Sequence, residues 1–368
     1  MCPSTLANSA ALFVPAVGAT QKCMDPVTVR LVDRRPHLGA DELLARLAPP
    51  ARFAGAHFET YLPDAAFPSQ AAAKATLEQF ATGLARGRVQ SPRRGLFRRS
   101  APPALADRPA RYLDGGYGVG KTHLLAATWH AVQPASAAYL SFGELTALVG
   151  FLGMERAVEA FSGFTLLCVD EFELDDVANT LMLVTLLRRI IGAGTAVVAT
   201  SNAVPDRLGE GRFNAEDFTR EIAAIAAHFG SVRIDGEDYR RRGGIVVDPM
   251  PDDRLGDLVA GAGPATSVDD VHALLAHLRV VPPAQLGALL DGIDTVMLRG
   301  LHPVTNQGAA LLFVAFIDEV YDSGVTLAAS GCPVAALFDG SYRDGGYRKK
   351  YGRCESRLSA LLAESASG

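Results

Sequence analysis

The octet Gly115-Gly116-Tyr117-Gly118-Val119-Gly120-Lys121-Thr122 constrains this chain more than any other feature. It satisfies the pattern G-x-x-x-x-G-K-[ST] and stands between an apolar run, Arg111 to Asp114, and a helical pattern that starts at Lys121. Four glycines let the backbone turn its amides inward and approach a phosphate closely, and the dipole of the following helix favours the negative charge. The pattern therefore predicts ATP on Gly115 to Thr122, with Lys121 reaching the β and γ phosphates and the Thr122 hydroxyl on Mg²⁺. A glycine-rich turn that only caps a helix is the competing reading, and a strand, a loop and a helix in that order argue against it.

A second motif supports the first. Phe164 to Val169 is a six-residue apolar run that ends in Asp170-Glu171. Such a run reads as a buried parallel strand, and ligands bind at the carboxyl edge of parallel sheets. Asp170 is expected in the magnesium shell, and Glu171 is placed to orient and deprotonate the attacking water. Another apolar strand, Ala196 to Ala199, ends in Thr200-Ser201-Asn202. The Asn202 amide either holds the water or γ phosphate, or caps a turn before Pro205; spacing alone leaves both open.

Around these motifs the chain alternates short apolar runs with helical ones. Strands are expected at Arg111 to Asp114, Ala138 to Ser141, Phe164 to Val169 and Thr195 to Thr200, with helices from Lys121 and near Val177 to Ile191. That alternation predicts an α/β fold, a parallel sheet with helices on both faces. Upstream, Ser69 to Leu84 reads as a helix with Ser69 able to cap it, followed by a basic loop holding Arg86, Arg88, Arg93, Arg94, Arg98 and Arg99. Downstream, Ser231 to Ile234 and Gly244 to Val247 read as a hairpin and Val268 to Leu278 as a helix. A strand at Thr295 to Arg299, a helix from Gly308 to Tyr321, a strand at Val325 to Ala329 and a last helix from Tyr351 to Leu362 follow. The expected division is a flexible tail over 1–50, with a proline-flanked arm from Pro26 to Pro50 that packs elsewhere or stays mobile. A helical extension covers 51–104 and an ATPase core 105–247, and 248–368 is expected to complete the sheet and form a lid.

Composition excludes several classes. With 49% hydrophobic residues among 368, the chain can bury a large core. A net charge of −5 argues against wholesale binding to nucleic acid or anionic membranes. Five cysteines, widely spaced and without a CxxC pair, fit a reducing compartment, hence the cytoplasm, rather than a disulfide framework or a zinc site. The eight histidines show no metal spacing, and helix packing accounts for His123. No stretch of about 18 apolar residues occurs, so stable membrane insertion is not expected. The first 24 residues lack the make-up of a signal peptide, and Met24 is an alternative start.

The residues also resemble a known family. YLDGGYGVGKTHL, LLCVDEFELDDVANTLMLVTLLRR, AVVATSNAVPDRL, LLFVAFIDEVYDSGVTLAAS, RCESRL and the amino-terminal FETYLPDAAFPSQ are similar to the ZapE family of bacterial cell-division ATPases and their mitochondrial AFG-type relatives. The likeness runs from about Phe53 to Leu362. It implies an AAA+ type P-loop ATPase with a five-stranded parallel core, acting in bacteria near the division ring on FtsZ polymers. Carried across, Lys121 and Thr122 match the phosphate-loop pair, Asp170 and Glu171 the acidic pair, and Asn202 the sensor position, with Phe172 in the same acidic motif.

ATPases of this kind take a cationic finger from a neighbouring subunit, which implies a homo-oligomer. Arg212 and Arg220 are the candidates, surface salt bridging being the alternative for each. Arg353 and Arg357 lie four apart on one helix face, to meet the nucleotide from the lid or an Asp or Glu in a structural role. Two features depart from the family pattern: Leu311 and Leu312 stand where an arginine pair is usual, and the acidic motif continues Phe172-Glu173-Leu174-Asp175-Asp176. The leading expectation is an ATPase that remodels a protein partner, FtsZ being the candidate. The alternatives are a helicase-loader-like ATPase whose Arg86 to Arg99 stretch tracks single-stranded DNA, and a scaffold that binds nucleotide without turnover. A nucleic-acid partner is not expected, because Phe97 alone interleaves those arginines and stacking would be thin; Glu171 argues against the scaffold.

Overall fold

Apolar runs long enough for a strand but lacking polar alternation need cover on both faces, and in the middle of this chain they find it. The computed structural model describes residues 28–87, 109–116, 118–132, 136–172, 177–201, 226–237 and 247–367. After a short helix α1 (Ala40–Leu44) and the longer α2 (Pro68–Ala85), the chain runs β1 (Ala110–Gly115), α3 (Lys121–Ala131), β2 (Ala137–Ser141), α4 (Phe142–Leu152) and α5 (Met154–Ser162). Then come β3 (Leu166–Asp170), α6 (Val177–Ala193), β4 (Ala196–Ser201) and β5 (Phe229–Ile234). These five strands form one parallel sheet in the order β2-β3-β4-β1-β5. Alternate residues face opposite sides. Tyr112, Leu140, Val169 and Ala199 pack with α4, α5 and α6, while Leu113, Tyr139, Cys168 and Val198 pack with α2 and α3.

The strand order sets the geometry of the site. β4 lies between β1, which feeds the glycine loop, and β3, which ends in Asp170. Two strand spacings put their carboxyl ends about 10 Å apart, room for a phosphate and its metal.

The second half builds a sheet of its own. α7 (Asp252–Ala260) precedes β6 (Thr266–Asp270), α8 (Val271–Leu278), β7 (Thr295–Leu301), α9 (Gln307–Asp322), β8 (Thr326–Gly331), α10 (Gly340–Asp344) and α11 (Arg348–Ser367). β6, β7 and β8 are parallel and adjacent in that order. α8, α9 and α11 bury Leu274, Phe316 and Leu358 with Val296 and Leu327 on one face, and α7 sets Leu255 against Met297 and Ala328 on the other. Residues 248–368 therefore do not complete the first sheet, as expected from sequence; they cover a second one.

Other differences have local causes. Thr266–Asp270 is a strand and the helix begins only at Val271, because Asp270 caps it by accepting from Ala273 N at 3.0 Å. Ser69 is not a cap: Pro68 opens α2, and the Ser69 hydroxyl accepts from the Asp235 amide at 2.9 Å. Phe229–Ile234 pairs in parallel with β1 at the sheet edge, where its side chains alternate between buried and exposed, rather than turning into a hairpin; 244–246 lie outside the described residues. The proline-flanked arm packs on the second sheet. Val29 pairs with Ser267, Leu31 is fully buried, and the Asp269 carboxylate accepts from the amides of Leu31 and Val32 at 3.0 and 3.2 Å. Arg86 closes α2, while Arg88, Arg93, Arg94, Arg98 and Arg99 lie outside the described residues. Among the described residues no single helix is long and apolar enough to cross a membrane.

Candidate nucleotide site

Gly115 ends β1 so close to β5 that a Cβ there would fall 2.2 Å from the Ile234 carbonyl oxygen. Gly118 and Gly120 take left-handed φ of +66° and +87°, which only glycine adopts without strain. Tyr61 closes over the loop: its hydroxyl donates to the Val119 carbonyl at 3.1 Å, and its ring would stand 2.6 Å from a Cβ on Gly120. α3 then begins at Lys121 with no side-chain cap, leaving the amides of its first turn open to an anion. Lys121 is almost fully buried, and its ammonium donates to the carbonyls of Gly115 at 3.0 Å and Gly116 at 2.5 Å.

Across the β4 gap, Asp170 is held from several sides. Thr122 Oγ1 donates to Asp170 Oδ1 at 3.4 Å, and the Thr200 hydroxyl donates to the same oxygen over a short bond. Tyr139 donates to Oδ2 at 3.0 Å, and the Glu171 amide reaches Oδ1 at 3.1 Å. Burial, then the Asp170 charge, pushes the Tyr139 phenol well above its ordinary range, so it stays a donor. Phe172 anchors the motif from behind. It is buried edge-on to Tyr112 and Phe142, and its amide donates to the Thr200 carbonyl at 2.7 Å.

Thr122 and Asp170 thus present two hard oxygens side by side next to the loop, a donor set that fits Mg²⁺. The left-handed glycines, the buried lysine and the open first turn of α3 fit a polyphosphate.

Glu171 is the one non-glycine residue with positive φ among the described residues, at +53°. Its carboxylate meets two guanidinium groups from α11: Oε2 lies 2.5 Å from Arg353 Nη1 and Oε1 lies 3.3 Å from Arg357 Nη2. Both arginines also bind α9, through Asp318 at 2.7 and 2.8 Å, and Arg357 reaches Asp322 at 3.3 Å. Burial raises the Glu171 carboxyl, Arg353 and Arg357 pull it down, and Asp318 and Asp170 add to the rise. Burial works against the charge on Arg357, but Asp318, Asp322 and Glu171 more than offset it. Asp322 is pushed up to about 7 by burial, against the pull of Arg357.

Of the residues picked from sequence, the structure gathers Gly115, Gly116, Gly118, Val119, Gly120, Lys121, Thr122, Asp170 and Glu171 at one sheet edge. Tyr117, Asn202, Arg212, Arg220 and Glu173 to Asp176 lie outside the described residues. Arg353 and Arg357 meet carboxylates, the second of their two expected roles, although one of those carboxylates is Glu171 itself. Sequence reasoning missed Tyr61, Tyr139, Thr200 and Asp318. A tyrosine inside the apolar run of β2 was the visible signal for Tyr139; the others needed the strand order.

The AFG1-like ATPase family model matches residues 48–244 and 260–367, which spans both sheets. Cell division protein ZapE of Escherichia coli strain K12 is 28% identical over 295 residues, 69% of this chain and 78% of that protein. Lactation elevated protein 1 homolog B of Danio rerio is 32% identical over 87 residues, 23% of this chain and 17% of that protein. Among solved structures, the DnaC helicase loader covers 50% of this chain and 99% of its own at 17% identity and a TM-score of 0.35. Replication initiator DnaA bound to AMPPCP and single-stranded DNA covers 85% and 93% at 10% identity and a TM-score of 0.38. Superpositions that loose carry no argument. The family model, matched over most of the length and on both halves of the site, is decisive: this chain belongs to the AFG1-like ATPase family.

Proposed function

We propose that the chain binds ATP with Mg²⁺ at this site, hydrolyses it to ADP and phosphate, and uses the cycle to remodel a protein partner. The observation that carries the reading is the meeting of Thr122 and Asp170 across the β4 gap, beside a loop whose glycines and lysine fit a triphosphate. The loop amides would hold the β and γ phosphates, and Lys121 would exchange its carbonyl partners for phosphate oxygens. Mg²⁺, held by Thr122 and Asp170, would neutralise charge on the phosphates. Tyr139 and Thr200 keep Asp170 aimed, and Glu171 would take the proton of the attacking water. Asn202 would hold that water or the γ phosphate, and Arg212 or Arg220 would reach a neighbour's nucleotide in a homo-oligomer.

For the partner, support comes from the ZapE relative, described as a cell division protein. The reading is a cytoplasmic ATPase of the division apparatus that acts on FtsZ. The full chain with ATP and Mg²⁺ should release phosphate above the level of Lys121→Ala, and chelation should stop it. No release with or without FtsZ, indistinguishable from Lys121→Ala, would refute hydrolysis. Pull-down with Glu171→Gln and ATP should recover FtsZ; recovery of DNA instead would favour a loader-like role.

Tyr139→Phe tests the support of Asp170 separately. Losing one hydrogen bond to a carboxylate is worth about 1.5 kcal/mol, so the Mg²⁺ concentration for half-maximal turnover should rise about tenfold. A Mg²⁺ titration with unchanged midpoint would remove Tyr139 from the site.

A further inference from the structure

The proposed base is not free. Glu171 Oε2 and Oε1 each face a guanidinium N–H, from Arg353 at 2.5 Å and Arg357 at 3.3 Å. A carboxylate whose oxygens are both engaged by arginine forks is a poor acceptor for a water proton. We infer that Arg353 and Arg357 are positioning residues that restrain Glu171 in a resting arrangement, so that the three-stranded half of the molecule gates hydrolysis in the five-stranded half.

Three observations support the clamp. First, the arginines are carried by the second sheet's layer. They sit on α11, whose Cys354, Leu358 and Leu361 are buried in that core, and they are braced by Asp318 and Asp322 on α9. Motion between the layers would draw the clamp off Glu171 as a unit. Second, release strands no cation: Arg353 keeps Asp318, and Arg357 keeps both Asp318 and Asp322. Leaving a buried charge unpaired is what usually makes such a break prohibitive, and here that penalty is avoided on the arginine side. Third, Glu171 sits in the left-handed region at φ +53°, held there by its amide bonds to Thr200 Oγ1 at 2.9 Å and Asp170 Oδ1 at 3.1 Å. Non-glycine residues stay in such conformations only where the surroundings hold them, and a return to ordinary φ would swing the carboxylate to a new direction.

A cleft of about 390 Å³ opens between the layers at the pair itself, lined by Glu171, Asp318 and Arg353 and, from α4, by Glu144. The contact therefore lies where a displacement of α9 and α11 could open it.

This inference rests on the reading of Glu171 as the base, and the experiment separates the two. Steady-state turnover of the full chain is measured with ATP affinity, read by a fluorescent nucleotide, for Arg353→Ala, Asp318→Asn and Glu171→Gln. Arg353→Ala should raise kcat at pH 8 about three- to tenfold with nucleotide affinity unchanged. Asp318→Asn should do the opposite and lower kcat several-fold, since both arginines lose a competing carboxylate and close on Glu171. A merely structural role would lower kcat in both variants. A fall in kcat for Arg353→Ala, or a rise for Asp318→Asn, overturns the clamp; if Arg353→Ala fails to fold, Arg353→Gln, which keeps most of the bulk and removes the charge, must raise kcat in its place, and a fall there overturns the clamp. Wild-type turnover by Glu171→Gln would instead defeat the base assignment, whatever the arginine variants do.

Discussion

Glu171→Gln is expected to lower kcat about 10²- to 10⁴-fold, the usual contribution of a positioned general base, while ATP stays bound. The amide keeps the size of the side chain and can still face Arg353 and Arg357 with its carbonyl oxygen, so the layers should stay together. What it loses is the ability to accept a proton. Binding should survive because, at the proposed site, other groups would hold the phosphates and their metal: the loop amides, Lys121 and the Thr122–Asp170 pair, none of which the substitution replaces. Single-turnover hydrolysis and a nucleotide-binding titration separate the two quantities. Equal loss of binding and turnover would mean that Glu171 acts through the layer contact alone, as an anchor for Arg353 and Arg357.

How much of this could be read beforehand depended on how local each signal was. The glycine loop, Lys121 and Thr122 are contiguous, and their chemistry needs only a strand before and a helix after; β1 and α3 supply both. Asp170-Glu171 at the tip of an apolar run was equally local. Strand order was not, because a buried run of Val and Leu carries no label for its neighbours, and the place of β4 between β1 and β3 is set by crossovers and packing. For the same reason Thr200 passed as one polar residue among several, although it donates to Asp170 and receives the Glu171 amide. The second sheet was legible strand by strand at Thr295 to Arg299 and Val325 to Ala329, but its independence was not. β6 was hidden because Thr266–Asp270 carries polar residues at Ser267 and Asp269, both buried against the amino-terminal arm. Arg353 and Arg357 were singled out as a helical pair, four apart. Their meeting with Glu171, more than 180 residues away in sequence, follows only from the packing of the two layers.

The same layer contact predicts a gain in stability from Glu319→Gln above neutral pH. Glu319 lies beside the clamp on α9, partly buried against Gly287, whose missing Cβ would stand 2.7 Å from its Oε1. Burial, then the charges of Glu144 and Asp322, pushes its carboxyl up to about 8 from an ordinary 4.5, with the Ser323 hydroxyl bond opposing. Between those two values the folded chain keeps a proton that the unfolded chain has released. Folding is therefore least hindered by Glu319 below pH 4.5, is hindered increasingly as pH rises, and carries the full penalty above pH 8. The shift sets a ceiling of about 5 kcal/mol, and residual contact with water reduces the expected effect to about 2 kcal/mol. Glutamine cannot ionise and keeps the shape, so the variant should be more stable by that amount at pH 8.5 and by much less at pH 5.5. Urea denaturation at the two pH values measures the difference. A loss of stability at pH 8.5 would mean that Glu319 is ionised and paired in the native protein, which would add a carboxylate to those sharing Arg353 and Arg357 and weaken the hold on Glu171.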